Sequence, residues 1–158
     1  MASDWRSLYP IMSDPLVMTY WDSTEIVDPE ITERLVAAEV EDMAAGVAGY
    51  WAVELAADKA FLGACDLSAI DWRHRRAEVG FVLARDAWGR GYGLEAMRAV
   101  VDHAASLGMK RLWARTHAGN DASQRLLERL GFEPEGFLRG HIQRAGEWRD
   151  CMIFGLLL

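Results

Sequence analysis

Trp88-Gly89-Arg90-Gly91-Tyr92-Gly93 is the stretch on which the fold turns. Before it, Ala77 to Leu83 (AEVGFVL) has the mixed apolar content of a partly buried strand. After it, Leu94, Met97, Val100, Val101 and Ala104 recur at helical spacing, and Gly108 supplies a stop. The stretch is therefore a glycine-rich turn leading from a strand into a helix. The first turn of a helix carries unpaired amide N–H groups and a partial positive charge. Glycine lets a ligand come close to the backbone. Together they predict an anion site suited to a pyrophosphate. No Lys-Ser/Thr follows Gly93, and the glycines fall at 89, 91 and 93, so neither GxxxxGK[ST] nor GxGxxG is present. The plainer alternative is a tight turn whose glycines serve packing alone.

Working outward, residues 3–12 read as a short helix capped by Ser3, with Trp5, Leu8, Tyr9 and Met12 on one side. Residues 14–28 read as mostly loop. Asp28-Pro29-Glu30 then starts a second helix, with proline at the first helical position and an acid near the positive end. Ile31, Leu35, Val40 and Met43 continue it to about Gly46. Residues 49–55, 59–70 and 77–83 read as an antiparallel meander. Past the glycine turn and its helix, Arg111 to His117 is a strand and Asn120 to Leu130 a short helix, with Leu126, Leu127 and Leu130 inward. Residues 132–139 and 148–157 close the order α-α-β-β-β-α-β-α-β-β. This is a mixed α/β fold with a largely antiparallel sheet, flanking helices and one strand–helix–strand crossover. No repeat or linker divides residues 1–158, so one domain is expected.

The composition agrees. Of 158 residues 51% are hydrophobic and 26% charged, enough for a packed core. The net charge of −7 argues against a protein that coats nucleic acid. That charge is split: residues 1–60 hold twelve acidic and three basic side chains (−9), and residues 61–158 hold twelve acidic and fourteen basic (+2). Cys65 and Cys151 fit neither a disulfide framework nor a zinc spacing. The four histidines are dispersed and there is no HExxH, so no metal is expected. The N-terminus lacks an apolar signal core, and the apolar run 151–158 is too short to span a bilayer. A cytoplasmic protein, bound neither to membrane nor to nucleic acid, is the expectation.

The glycine turn resembles the pyrophosphate loop of the GNAT superfamily of acetyl-CoA-dependent N-acetyltransferases, (Gln/Arg)-x-x-Gly-x-(Gly/Ala). Gly91 and Gly93 match its small positions, and Trp88 stands where Gln or Arg is usual. The wording WGRGYG-x-EA resembles the RimJ/RimL-type branch, the ribosomal-protein N-terminal acetyltransferases. Asn120, Ser123, Arg129 and Gly131-Phe132 in NDASQRLLERLGF are similar to that branch's second block, and GEWRDCMIFGLL to its C-terminal hairpin. The branch begins with a strand of the Leu-Arg-Pro-Leu type. Here a helix begins at Ser3, so the first strand is expected to be absent, replaced, or lost to a mis-set start codon. A strand edge left unpaired in that way invites a homodimer or instability.

The resemblance implies acetyl-CoA as co-substrate and a splayed strand end where Phe81, Val82 and Leu83 pair with pantetheine. Trp88, Gly89, Arg90, Gly91, Tyr92 and Gly93 would surround the pyrophosphate, and Asn120 would bond pantetheine beyond its ordinary role as a helix cap. Glu78 is the candidate base for the acceptor ammonium. Its ordinary alternative is an ion pair with Arg75, Arg76 or Arg115. Many members carry a Tyr seven residues after the Asn to protonate the thiolate, but here that position is Leu127. Ser123 is the implied substitute, although a first-turn serine also bonds its own backbone. Tyr92 and His117 are further candidates. Tyr20 and Trp21 could border an amine, since a cation sits well over an aromatic face. The expected acceptor is a protein or peptide N-terminal α-amine. The alternatives are a polyamine or aminoglycoside, or a catalytically silent acyl-CoA-binding module.

Overall fold

A computed structural model describes residues 1–158. The runs between residues 49 and 83 form the expected meander. Strands β1 (Gly49–Glu54), β2 (Phe61–Asp71) and β3 (Arg76–Leu83) pair antiparallel in that order. Alternation along β3 sends Ala77 and Val79 into a core while Glu78 and Gly80 face the other side. The crossover then runs through helix α3 (Tyr92–Ser106) to strand β4 (Arg111–His117), which lies parallel to β3. Helix α4 (Asp121–Arg129) leads to the hairpin β5 (Glu133–Arg144) and β6 (Glu147–Leu157). The sheet order is β1-β2-β3-β4-β6-β5. β6 is paired on both sides, which explains its apolar sequence: Cys151 and Phe154 are wholly buried. Ala145 and Gly146 join the hairpin with φ of 50° and 85°, the positive values that a two-residue primed turn demands.

Two apolar clusters cover the two faces of the sheet. Leu67, Val79, Met97, Leu112, Leu127 and Phe154 belong to the larger one, under α3 and α4. The smaller joins Leu8, Ile11 and Met12 of helix α1 (Trp5–Met12) to Met18, to Val36 of helix α2 (Pro29–Ala45), and to Val82. Burying one such side chain contributes roughly 1.5–3 kcal/mol. No helix is long and apolar enough to cross a membrane.

The N-terminal third departs from the sequence reading in detail. Ser3 does not cap the first helix. A 3-10 turn, Ala2–Asp4, runs directly into α1 with Asp4 already in the helical region, so no extended residue remains to turn a side chain back. Within 14–28, Val17–Tyr20 forms a second 3-10 turn that buries Val17 and Met18. α2 starts as expected: Asp28 accepts the Glu30 N–H at 3.0 Å, and Gly46 ends the helix in the left-handed region. Its buried residues are Thr32 and Val36, however, while Ile31, Leu35, Val40 and Met43 stay exposed. β1 forms an edge of the sheet.

β3 and β4 pair only where Arg76, Ala77 and Glu78 face Arg111, Leu112 and Trp113. Beyond that point β3 pairs with β2 alone and β4 with β6 alone. The two strands part, and the gap between them positions the site.

Candidate active site

A cavity of about 990 Å³ opens where β3 and β4 diverge. That volume reaches the upper end of the range typical for small-molecule sites. One wall is β3 from Glu78 to Leu83, and another is the glycine turn with Trp88, Gly89, Gly91 and Gly93. Asn120 and Ser123 enter from the start of α4, and Tyr20, Trp21 and Asp22 from the N-terminal loop. Residues distant in sequence thus converge on one cleft.

At the glycine end, Gly89 and Gly91 have φ of 69° and 86°, and a β-carbon at either would meet no atom within 4 Å. The backbone is held in a conformation that favours glycine and is open to an incoming group. Gly91 is the cap residue of α3, so the free amides of that helix begin there. Gly93 is glycine for the plainer reason: a β-carbon would press on Leu126 at 3.0 Å and Leu83 at 3.1 Å. The Trp88 indole donates to the Leu83 carbonyl at 2.9 Å and ties the strand end to the turn. Arg90 and Tyr92 do not line this cavity. The Arg90 guanidinium lies over the Tyr92 ring, 5.0 Å from its centroid, and Tyr92 lines a second, apolar cavity of about 510 Å³ between α3 and β1–β2. Helix geometry is the reason: Tyr92 opens α3, and its side chain leaves on the far side of the turn.

Asn120 caps α4, its Oδ1 accepting the Ser123 N–H at 3.3 Å. Position 127 is a leucine, 2% exposed and part of the core, so no hydroxyl approaches from there.

Glu78 is half-buried on the cavity wall. None of its expected cations pairs with it. Arg76 bonds Asp71 at 3.2 Å, and Arg115 bonds Asp22 at 2.7 Å. Burial pushes the Glu78 carboxyl above the ordinary carboxylate range; Arg115 pulls it down, while Asp66 and Asp22 push it further up.

The sequence reading missed one cluster. Asp22 accepts two hydrogen bonds from Arg115, at 3.2 Å and 2.7 Å, and lies 2.9 Å from His117 Nε2. Burial raises the Asp22 carboxyl, but the two bonded cation-forming partners outweigh it and leave it below its usual value. His117 is buried, and its Nδ1 has no partner. Arg144 donates to the carbonyls of Ser23 and Met18, and Arg149 to that of Thr19, so arginines from β4, β5 and β6 pin the loop bearing Tyr20 and Trp21. The loop and the strands are far apart in sequence, and no local pattern announces the contact.

Parted strands, a glycine turn at a helix start and a carboxylate on the wall formed by β3 give one open cleft in a mixed α/β fold. Residues 1–133 match the family described as the acetyltransferase (GNAT) domain, and the chain belongs to that family. It is an acetyltransferase. It is 30% identical over 146 residues to the uncharacterized N-acetyltransferase p20 of Bacillus licheniformis, covering 92% of this chain and 82% of that protein. The fold is similar to spermidine N-acetyltransferase from Vibrio cholerae in complex with CoA and spermine (TM-score 0.85, 22% identity, 98% of this chain and 89% of that one). It is also similar to ribosomal-protein-S5-alanine acetyltransferase from Vibrio fischeri (TM-score 0.85, 21% identity, 99% and 88%). At those identities the likeness concerns the fold.

Proposed function

We propose that this chain moves the acetyl group of acetyl-CoA to a primary amine by direct attack in a ternary complex, with a protein or peptide N-terminal α-amine as the leading acceptor. One observation carries this reading: the gap between β3 and β4 joins open glycine amides at one end to an unpaired Glu78 at the other. Pantetheine would lie along the free edge of Phe81, Val82 and Leu83, with Asn120 as a further partner. The pyrophosphate would lie over Gly89 and Gly91 at the start of α3.

The chemistry then follows. Glu78 takes a proton from the acceptor ammonium. The freed nitrogen lone pair attacks the thioester carbonyl, the C–S bond breaks, and the sulfur leaves as a thiolate that Ser123 can hydrogen-bond before it is protonated. A carboxyl raised above its usual range is the stronger base for this task.

A small cationic amine is the second reading. Asp66 and Glu78 line the cavity without a cation of their own, and Tyr20 and Trp21 line the same cavity. The spermine-bound relative in fold adds weight to it. Two unpaired cysteines suit a reducing cytoplasm, and the free edge of β1 favours pairing with a second copy.

The test is thiol release from acetyl-CoA in the presence of free-N-terminus peptides, spermidine or an aminoglycoside. Amine-dependent release with one of them supports catalysis and names the acceptor class. Acetyl-CoA binding without release from any amine would instead favour a silent acyl-CoA-binding module.

A further inference from the structure

We propose that Asp66 is a positioning residue for the transfer: seated by Ser68 in the space over Gly80, its carboxylate faces the same cavity as Glu78 and makes that base hold its proton more tightly. This rests on the reading of Glu78 as the base.

The register of β2 against β3 sets the geometry. Asp66 stands opposite Gly80, and Ser68 opposite Glu78. Asp66 and Glu78 are therefore diagonal neighbours on one face, and both line the cavity. Diagonal pairs of this kind stand roughly 7–8 Å apart. The Ser68 hydroxyl donates to Asp66 Oδ2 at 2.8 Å and fixes the carboxylate. A β-carbon at residue 80 would meet Asp66 Oδ1 at 2.5 Å. Glycine at 80 is thus the complement of aspartate at 66, and the pair reads as a built seat rather than a stray surface acid.

No lysine or arginine forms an ion pair with Asp66 or Glu78. The nearby cation, Arg115 of β4, is spent on Asp22. From the other elements, Asp22 faces Glu78, while Glu39 of α2 and Tyr50 of β1 lie on the Asp66 side. Like charges on one cavity resist joint ionisation, so an ionised Asp66 raises the proton affinity of Glu78; Asp66 is itself raised by burial, and the Ser68 hydrogen bond works against that rise. Burial raises Glu78 most, Arg115 opposes it through space although bonded to Asp22, and Asp66 and then Asp22 raise it further. Such a pair titrates as a unit, which is why the variant, not the wild type alone, is informative.

The experiment needs no acceptor. In the full chain carrying ¹³C-labelled glutamate, the Glu78 carboxyl signal is assigned by its loss in Glu78→Gln and followed from pH 4 to 9. Asp66→Asn keeps the shape and the Ser68 contact but removes the charge. It should lower the Glu78 midpoint by about 0.5–1.5 pH units, the effect of one charge ~7 Å away between aqueous and near-surface screening. Gly80→Ala, which displaces the Asp66 carboxylate, should also change the midpoint. In an Asp66→Ala background, Gly80→Ala should change it no further. An unchanged midpoint in Asp66→Asn, or an equal effect of Gly80→Ala with and without Asp66, would overturn the proposal. Should Asp66→Asn not fold, the Gly80→Ala and Asp66→Ala cycle decides alone. Failure of the base reading shows separately, as undiminished turnover by Glu78→Gln.

Discussion

Glu78 was legible as a residue and not as an environment. An acid inside AEVGFVL must point away from Val79, and that much follows from strand alternation. That its expected arginine partners are engaged elsewhere, Arg76 with Asp71 and Arg115 with Asp22, depends on tertiary contacts. The consequence is chemical. With the productive acceptor, Glu78→Gln should lower kcat/KM by about 10²–10⁴-fold, the usual weight of a general base. In the wild type, kcat/KM should rise with pH through a midpoint above that of an ordinary glutamate, because only the ionised carboxylate accepts the proton. A pH-independent kcat/KM between pH 5 and 8 would contradict the role. The Asp22–Arg115–His117 contact was illegible for a different reason: Asp22 lies 93 residues from Arg115, and nothing local marks the pair. Tyr92 belongs to the same motif, but the first residue of a helix is turned by the helix itself, here toward the second cavity.

The glycine turn and its helix were read correctly because each piece carries its own local signal. Periodicity marked α3, and glycines marked the cap. The structure divides the labour among those glycines: Gly91 is needed for its positive φ and Gly93 for close packing. Gly91→Ala must strain the cap, at a cost on the order of 1 kcal/mol. Acetyl-CoA should then bind roughly five-fold more weakly by calorimetry. Unaltered affinity would count against that turn as the pyrophosphate seat.

α2 was harder, because several exposed apolar residues share its spacing and only contact with β1 and α1 selects Thr32 and Val36. The same packing half-buries Glu39 and, with Asp66 and Asp42 nearby, raises its carboxyl to about 7. The sign follows. In the unfolded chain Glu39 ionises near the ordinary glutamate value of 4.5, whereas in the fold it stays protonated to about 7. Stability is therefore unaffected below the first value, falls between the two, and carries the full cost above the second. Glu39→Gln should raise Tm at pH 8 and leave it unchanged at pH 4. A stabilisation independent of pH would contradict this.

At the scale of the whole molecule, the order of elements and the crossover were legible, since every strand but β5 carries an apolar pattern. The position of β6 between β4 and β5 was anticipated only in part: its apolar run announced burial but not its neighbours. The charge split acquires a geometry. The acidic first 60 residues supply Tyr20, Trp21 and Asp22 to the cavity, and the later residues supply the glycine turn. If that acidity draws in a cationic amine, the acceptor KM should climb steeply between 50 and 500 mM salt, as the Debye length shrinks from roughly 14 Å to 4 Å. A flat profile would return the charge to solubility alone.

The central claim is that the cleft between β3 and β4 carries acetyl transfer to an amine with Glu78 as base. Its most direct test is thiol release from acetyl-CoA by the purified wild-type protein and Glu78→Gln, across peptides, spermidine and an aminoglycoside. The expected result is amine-dependent release by the wild type and a loss of about 100-fold or more in Glu78→Gln, with acetyl-CoA binding retained. Release by Glu78→Gln equal to the wild type, or no amine-dependent release by either protein, would contradict it.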